Sequence, residues 1–479
     1  AISRSTAFRS NVHELKGAIS EGVYFAENLN LHEVVVDRYN SASGITVTTI
    51  NDEKKYMAAR SIIIATGTHE NSITLEECRE YKRNADTDSP ATVQIDENNF
   101  HISEEGTVSI FGDIHPHYKG SVVRALASAK TGYSSISKEL EKHPKCPDNG
   151  KFFSEINNVL LSRVVSVVEL ADKIVEITIH SPLASANFQP GMFYRLQNIG
   201  ENDRHGMEME CIAVTGAYVD KKCGTVTVVV LDVGGSSRLC WKLKSGQLVS
   251  LMGPTGTPTH IPNEKNVLLI GGGVGNAVLF SIGKEMLDRK CNVLFFAGFR
   301  FLNSVFGIQH IEAASDVAVL CCEDGYLVPN RQSDFFYKSN IVHALLAYGA
   351  DTKAAIALNT IDRVVMVGSC GMMAAINRAI SCELKHLFRP DIEIIASINS
   401  PMQCMMKEIC GQCIQKHVDP LTGAESFVYS CVNQDQCAKK VDFDFLQNRL
   451  KQNNVLEKCA SMWVNHCLSE HVRSTCVET

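Results

Sequence analysis

Residues 266–283 form a run of eighteen positions without a charge, broken near its centre by Gly271, Gly272, Gly273, Gly275 and Asn276. The run approaches the length of a membrane span, but alternating structure explains it better. The pattern instead describes a buried strand (Val267–Ile270), a glycine turn and an apolar helix (Ala277–Leu287). Similar apolar strands recur at Val293–Ala297, Ala318–Cys322 and Val364–Val367, with a helical pattern at Met372–Ala379. Strands this apolar are covered on both faces, so residues 263–400 are expected to form a doubly wound parallel sheet. Glycines at a strand-to-helix turn let the backbone approach a pyrophosphate, and the helix N-terminus adds N–H donors and positive dipole. Gly271, Gly272, Gly273, Gly275 and Asn276 are therefore candidate dinucleotide contacts, set against the plainer reading of a tight turn. No carboxylate ends the second strand, and Arg300 lies nearby, which permits NADP as well as NAD.

The rest of the chain reads as three further kinds of structure, so the fold class is multidomain α/β plus β. Residues 159–262 carry short β-patterned runs (160–169, 174–180, 192–197, 210–215, 225–231 and 248–252) separated by turn signals, as in a small antiparallel β-barrel. Residues 1–135 mix strand patterns at 33–37, 44–50, 59–65 and 107–111 with a helical one at 121–130. Residues 136–158 are charged and contain Pro144, Pro147 and Gly150, the signature of a linker. Residues 438–479 read as a helical tail containing Trp463. A length of 479 residues corresponds to about three domains of roughly 100–200 residues. Apolar residues at 45% exclude a mostly disordered chain. A formal charge of −7 argues against a general nucleic-acid binder. No membrane span is read. The chain begins at Ala1 without Met and without the apolar core of a signal peptide. It reads as a segment of a longer protein or a processed one, with the missing N-terminal part as a partner.

Cysteine supplies the second constraint. Of 18 cysteines, five (Cys404, Cys410, Cys413, Cys431 and Cys437) fall within 34 residues, where an even spread gives about one. Nine disulfides would suit a short secreted scaffold, and this chain is instead rich in core. The spacing Cys404-x5-Cys410-x2-Cys413-x17-Cys431 offers three thiolates in one loop and a fourth on a returning chain. Plant-type [2Fe–2S] loops have a related three-plus-one arrangement with four residues where this has five. Structural zinc is the competing reading, although only Cys410–Cys413 forms a zinc-like knuckle. Cys437 is a spare for Cys431. Clustered ligands of this kind imply a reducing, cytoplasmic setting, and residues 401–437 are read as a [2Fe–2S] module.

Three more segments are candidates. Cys370, in Gly368-Ser-Cys-Gly371-Met-Met373, sits at the carboxyl end of a parallel strand, on the ligand-binding side, and is a candidate nicotinamide contact. Taken alone, a buried cysteine in a glycine turn explains it as well. Gly234, Gly235, Ser236 and Ser237 offer an anion cradle, with a plain barrel loop as the alternative. Gly112 and Asp113 end a short strand, preceded by Ala65-Thr66-Gly67, in a pattern suited to a flavin's ribityl and pyrophosphate groups.

In combination these pieces resemble the ferredoxin–NADP reductase superfamily over residues 159–437, and within it the iron–sulfur electron-transfer subunit of dihydroorotate dehydrogenase. The order matches: barrel, Gly234–Ser237, the Gly253-Pro-Thr-Gly256 turn, the glycine loop, Glu323-Asp324-Gly325, Cys370-Gly371 and a terminal cluster loop. The resemblance implies FAD in the barrel, NAD(P) on the sheet and a [2Fe–2S] cluster, with Asp324 and Gly371 among the cofactor contacts. One departure is that the strand Met209–Thr215 lacks the arginine such barrels use to grip flavin. Arg195, one strand earlier, is the candidate substitute. Residues 30–135 resemble the end of a pyridine nucleotide–disulfide oxidoreductase of the glutamate synthase small-subunit type, through Thr66, Gly67, Gly112 and Asp113. Its FAD-binding glycine loop is missing, so this part reads as a remnant.

The expected function is an oxidoreductase that passes electrons between NAD(P)H, flavin and a [2Fe–2S] cluster to a protein acceptor or catalytic subunit. Two alternatives stand beside it. One is a glutamate synthase-type NADPH reductase component; the other is a non-catalytic, zinc-stapled assembly module on a reductase fold.

Overall fold

The computed structural model describes residues 12–38, 42–63, 100–101, 108–119, 122–143, 150–199, 207–402, 404, 408–452 and 454–477. The chain forms two compact units, Ala1–Pro147 and Asp148–Thr479.

In the first unit, helix α1 (Val12–Ser20) precedes an antiparallel sheet of β1 (Asn30–Val36), β2 (Ala42–Thr48) and β3 (Lys54–Ala58). β3 differs from the expected strand at 59–65. Asp52, with φ 60°, turns the chain so that Lys54 pairs with Thr48 and Ala58 with Gly44. After Ala59 N–H reaches Ser43 O, residues 59–63 form no strand despite their β-branched side chains. Of the strand read at 107–111, the described residues 108–111 show one bridge, between His101 and Ser109, and residue 107 lies outside the described residues. Helix α2 (Val122–Leu140) runs ten residues past the helical pattern, into the segment read as linker. Gly132 makes room for the stacked rings of Phe100 and Phe111, which a Cβ there would strike.

The second unit opens with helix α3 (Lys151–Leu160), so both ends of the expected linker are helical. β4 (Ser162–Ala171), β5 (Ile174–His180), β6 (Phe193–Asn198), β7 (Ile212–Asp220), β8 (Thr225–Leu231) and β9 (Leu248–Thr255) close a barrel in the order β4-β5-β8-β7-β6-β9. Short helices α4 (Pro182–Ala186) and α5 (Gly235–Cys240) interrupt it.

The sheet that follows contains β10 (Asn266–Gly272), β11 (Asn292–Phe301), β12 (Val317–Asp324), β13 (Phe335–Tyr337), β14 (Arg363–Val367) and β15 (Glu393–Ser397), with β18 (Asp435–Cys437) at its edge. The order is β13-β12-β11-β10-β14-β15-β18, parallel except for the last pair. Alternate residues feed two cores. Leu268, Ile270 and Met366 meet α8 (Ile341–Ala350) and α9 (Cys370–Ser381) on one face. Val267, Leu269 and Val365 meet α6 (Gly275–Asp288) and α7 (Ile308–Ala313) on the other. The sequence order reverses direction between β10 and β14, which opens a crevice at their carboxyl ends.

Between β15 and β18 lies the hairpin β16 (Ile414–Val418) and β17 (Glu425–Tyr429). Helices α10 (Phe443–Lys451) and α11 (Asn454–Val477) end the unit. No helix among the described residues is long and apolar enough to cross a membrane.

Candidate functional site

The glycine loop sits at the switch-point crevice. Gly275 opens α6 so close to β14 that an added Cβ would lie 2.5 Å from Val367 O. Gly273 has φ +55°, and a Cβ there would meet nothing within 4 Å; the same open space surrounds Gly371 across the crevice. Asn276 is fully buried and braces the loop, its Nδ2 donating to Gly273 O at 2.9 Å. Gly272 lies against Met372. Backbone that is open at Gly273 and Gly371, with the fourteen-residue helix α6 starting between them, suits a dinucleotide pyrophosphate. Asp324 lies exposed at the carboxyl end of β12, in register with Phe301 of β11.

Cys370 is the first residue of α9, and its thiol donates to Phe443 O of α10 at 3.3 Å. Burial, and after it the Asp444 carboxylate, holds that thiol above its ordinary pKa. As placed, the side chain serves the α9–α10 packing.

The Gly234–Ser237 turn is held from within. Ser237 Oγ accepts from Val233 N at 2.9 Å and from Gly234 N at 2.8 Å. Its outer face is covered by the tail. A Cβ on Gly234 would collide with the Glu457 carboxylate, and one on Gly235 would lie 3.1 Å from Ala460 Cβ, both on α11. Further along that helix, Val464 is buried in the barrel core. The glycine turn is thus packed against α11 on that face. Arg195 on β6 keeps a buried Nε with no hydrogen-bond partner, and its Nη1 reaches only Met252 Sδ, at 4.0 Å. Such an unspent donor is what an anionic cofactor would use.

The cysteine spacing is explained by the β16–β17 hairpin. Ile414 pairs with Tyr429, and Ser430 N donates to Cys413 O at 3.0 Å, so the seventeen residues between Cys413 and Cys431 return the chain on itself. Both cysteines are fully buried, packed with Phe193 and Met402. Burial pushes the Cys413 thiol up to about 12, against a hydrogen bond with the Cys431 backbone that lowers it. Cys410 is exposed and Cys404 half-buried. Cys437 pairs with Ile395 in the β15–β18 ladder. Among the described residues no three His, Cys, Asp or Glu side chains converge closely enough to hold a metal as they stand. The donors are thiols throughout, a set that suits iron–sulfur or zinc.

A small cleft of about 30 Å³ joins these parts. Phe193 and Ala213 come from the barrel, Val367 from β14, and Asn399, Met402 and Gln434 from the segments flanking the cysteines. Gln434 fastens the junction: its Nε2 donates to Gly191 O at 3.0 Å and also to Thr257 O, and its Oε1 accepts from Thr257 N at 3.2 Å. Sequence reasoning missed Phe193, Met402, Gln434 and Glu457, because nothing local marks a residue whose importance lies in a distant contact.

In the first unit Gly112 and Asp113 form a 3₁₀ turn, with Gly112 N donating to Ser128 Oγ of α2 at 2.7 Å. Thr66 and Gly67 lie outside the described residues.

The chain matches no protein-family model. It is 30% identical over 473 residues to an uncharacterized protein of Rickettsia prowazekii, covering 95% of this chain and 54% of that one. It is 32% identical over 168 residues to a Thermotoga maritima homolog of the dihydroorotate dehydrogenase B (NAD(+)) electron transfer subunit, covering 34% of this chain and 56% of that protein. The chain thus spans a little over half the length of these curated relatives. A solved structure of an NADH-dependent reduced ferredoxin–NADP oxidoreductase, described in connection with flavin-based electron bifurcation, superposes with a TM-score of 0.51 at 25% identity. That match covers 63% of this chain and 97% of the other. With the closed barrel, the doubly wound sheet and these relatives in agreement, the resemblance of this chain to the ferredoxin–NADP reductase superfamily holds.

Proposed function

We propose that this chain is the electron-transfer part of an NAD(P)H-linked flavin and iron–sulfur oxidoreductase, exchanging electrons with a protein acceptor or catalytic subunit. The observation that carries the reading is the cleft. Its walls Phe193 and Met402 also pack on Cys413 and Cys431, and its wall Val367 ends the strand beside the glycine loop. One short junction therefore links the nucleotide crevice to the thiol pair. Flavin, when bound, supplies the conversion between a two-electron hydride and a one-electron cluster. The chain's own residues bind and orient: Gly273, Gly275 and Gly371 admit the dinucleotide, Cys404, Cys410, Cys413 and Cys431 hold the metal, and Phe193, Val367 and Met402 keep water from the junction.

Anaerobically purified protein is expected to show flavin and iron–sulfur absorption that bleaches on addition of NADH or NADPH. A colourless protein that takes up only zinc would instead support the non-catalytic reading, which the cover of Glu457 over Gly234 favours. Gly275→Val gives a second test. Its side chain must displace Val367 or α6, at a cost of about 1–3 kcal/mol. NAD(P)H affinity, measured by fluorescence titration, is expected to fall roughly tenfold or more. Wild-type affinity in a folded Gly275→Val protein counts against this nucleotide site.

A further inference from the structure

We infer that Arg449, on tail helix α10, is a positioning residue that sets the shape and charge of the Cys410–Cys413 knuckle; the inference rests on the iron–sulfur reading above. Arg449 lies outside the cysteine segment and belongs to no motif of the sequence. Its Nη2 donates to Gly411 O at 2.9 Å and to Gln412 O at 3.1 Å, the two residues between Cys410 and Cys413. Gly411 has φ +69°, so the knuckle is a turn that its own side chains do not stiffen.

The base from which Arg449 reaches is firm. Asp442 caps α10 by accepting from Phe445 N at 2.9 Å, and Asp442 N donates to Lys416 O of β16. Leu446 is buried in the sheet core. The guanidinium thus approaches from a fixed helix while the knuckle is tied to it. Beside it lies a cavity of about 310 Å³, lined by Ser400, Cys410, Gly411, Gln415, Leu446 and Arg449. Arg449 Nε is buried there without a partner.

Two consequences follow from this placement. One nitrogen, Nη2, holds both carbonyl oxygens, and its two N–H directions are fixed in the guanidinium plane, whereas an ammonium on a flexible stem is free to rotate. A fixed cation beside thiolate ligands also favours the more negative, reduced state of a cluster, since net charge and surrounding hydrogen bonds set its potential.

The test compares the 479-residue chain with Arg449→Gln and Arg449→Lys, each reconstituted anaerobically with iron and sulfide. Iron content, the electron paramagnetic resonance spectrum of the reduced protein and its midpoint potential are measured. Arg449→Gln is expected to lower the potential enough to change the oxidised-to-reduced ratio about tenfold, or about 59 mV for one electron. Arg449→Lys is expected to restore most of the potential while keeping an altered spectrum, because the charge returns and the fixed planar donor does not. Arg449→Gln with wild-type potential and spectrum overturns the inference. Should Arg449→Gln fail to fold, Arg449→Lys decides: an altered spectrum supports the inference, and an unaltered one overturns it. A wild-type chain that takes zinc and no iron removes the cluster reading itself and this inference with it, a result distinct from an unresponsive Arg449→Gln in a loaded protein.

Discussion

Glu457→Ala is expected to tighten FAD binding to this chain by roughly ten- to thirtyfold. The carboxylate lies against Gly234, in the turn we propose as the cradle of a flavin diphosphate. Glu457 is exposed, so its repulsion of each phosphate charge is screened to about 1 kcal/mol at 4 Å. Two phosphate charges then bring the effect to the stated range. Ending the chain before Asn454 removes the steric cover as well and is expected to go further. That truncation also withdraws Val464 from the barrel core, a contribution of about 1.5–3 kcal/mol, so Glu457→Ala is the cleaner variant. The measurement is quenching of flavin fluorescence on titration with apoprotein. Equal affinity for the wild-type chain, Glu457→Ala and the truncated chain would show that α11 and flavin do not compete. Absence of binding to all three would remove flavin from the barrel.

The parts legible in the sequence are those with a local period. Four strands of the parallel sheet, β10, β11, β12 and β14, were readable because burial on both faces makes their central residues apolar, and the glycine turn was readable because Gly273 and Gly275 answer to backbone geometry at their own positions; β13 and β15 were not read. β3 was misplaced because pairing with β2, set by the turn at Asp52, outweighed the β-branched run after it. β18 was missed because three residues reading Asp-Gln-Cys form a strand only where the edge of β15 is available. Helix α2 outran its pattern because Gly132, poor in a helix by itself, is what lets two phenylalanine rings pack there. At the site, residue types announced the chemistry, while their arrangement depended on the tail. Cys370 is directed to Phe443, Gly234 is met by Glu457, and the cysteine knuckle is held by Arg449, all contacts across tens of residues or more in sequence.

Cys413→Ser is expected to abolish most iron uptake while Cys437→Ser leaves it intact. Cys413 is buried beside Cys431 at the open end of the β16–β17 hairpin, so the pair is presented together by backbone pairing. In the metal-free chain burial keeps Cys413 a thiol, pushed up to about 12. Only the binding of a metal offsets the cost of the buried thiolate, and uptake should release protons. A serine hydroxyl is a poor ligand for a soft thiolate site, and in that apolar setting it also lacks a certain partner, at about 1–3 kcal/mol. Cys413→Ala separates the two effects, since it removes the ligand without burying a hydroxyl. Cys437 lies instead on β18, opposite Ile395 in the sheet. Iron and sulfide assays with visible absorption read the outcome. A Cys413→Ala protein with full iron content would exclude this thiol as a ligand. Loss of iron in Cys437→Ser would move the fourth ligand from Cys431 to Cys437.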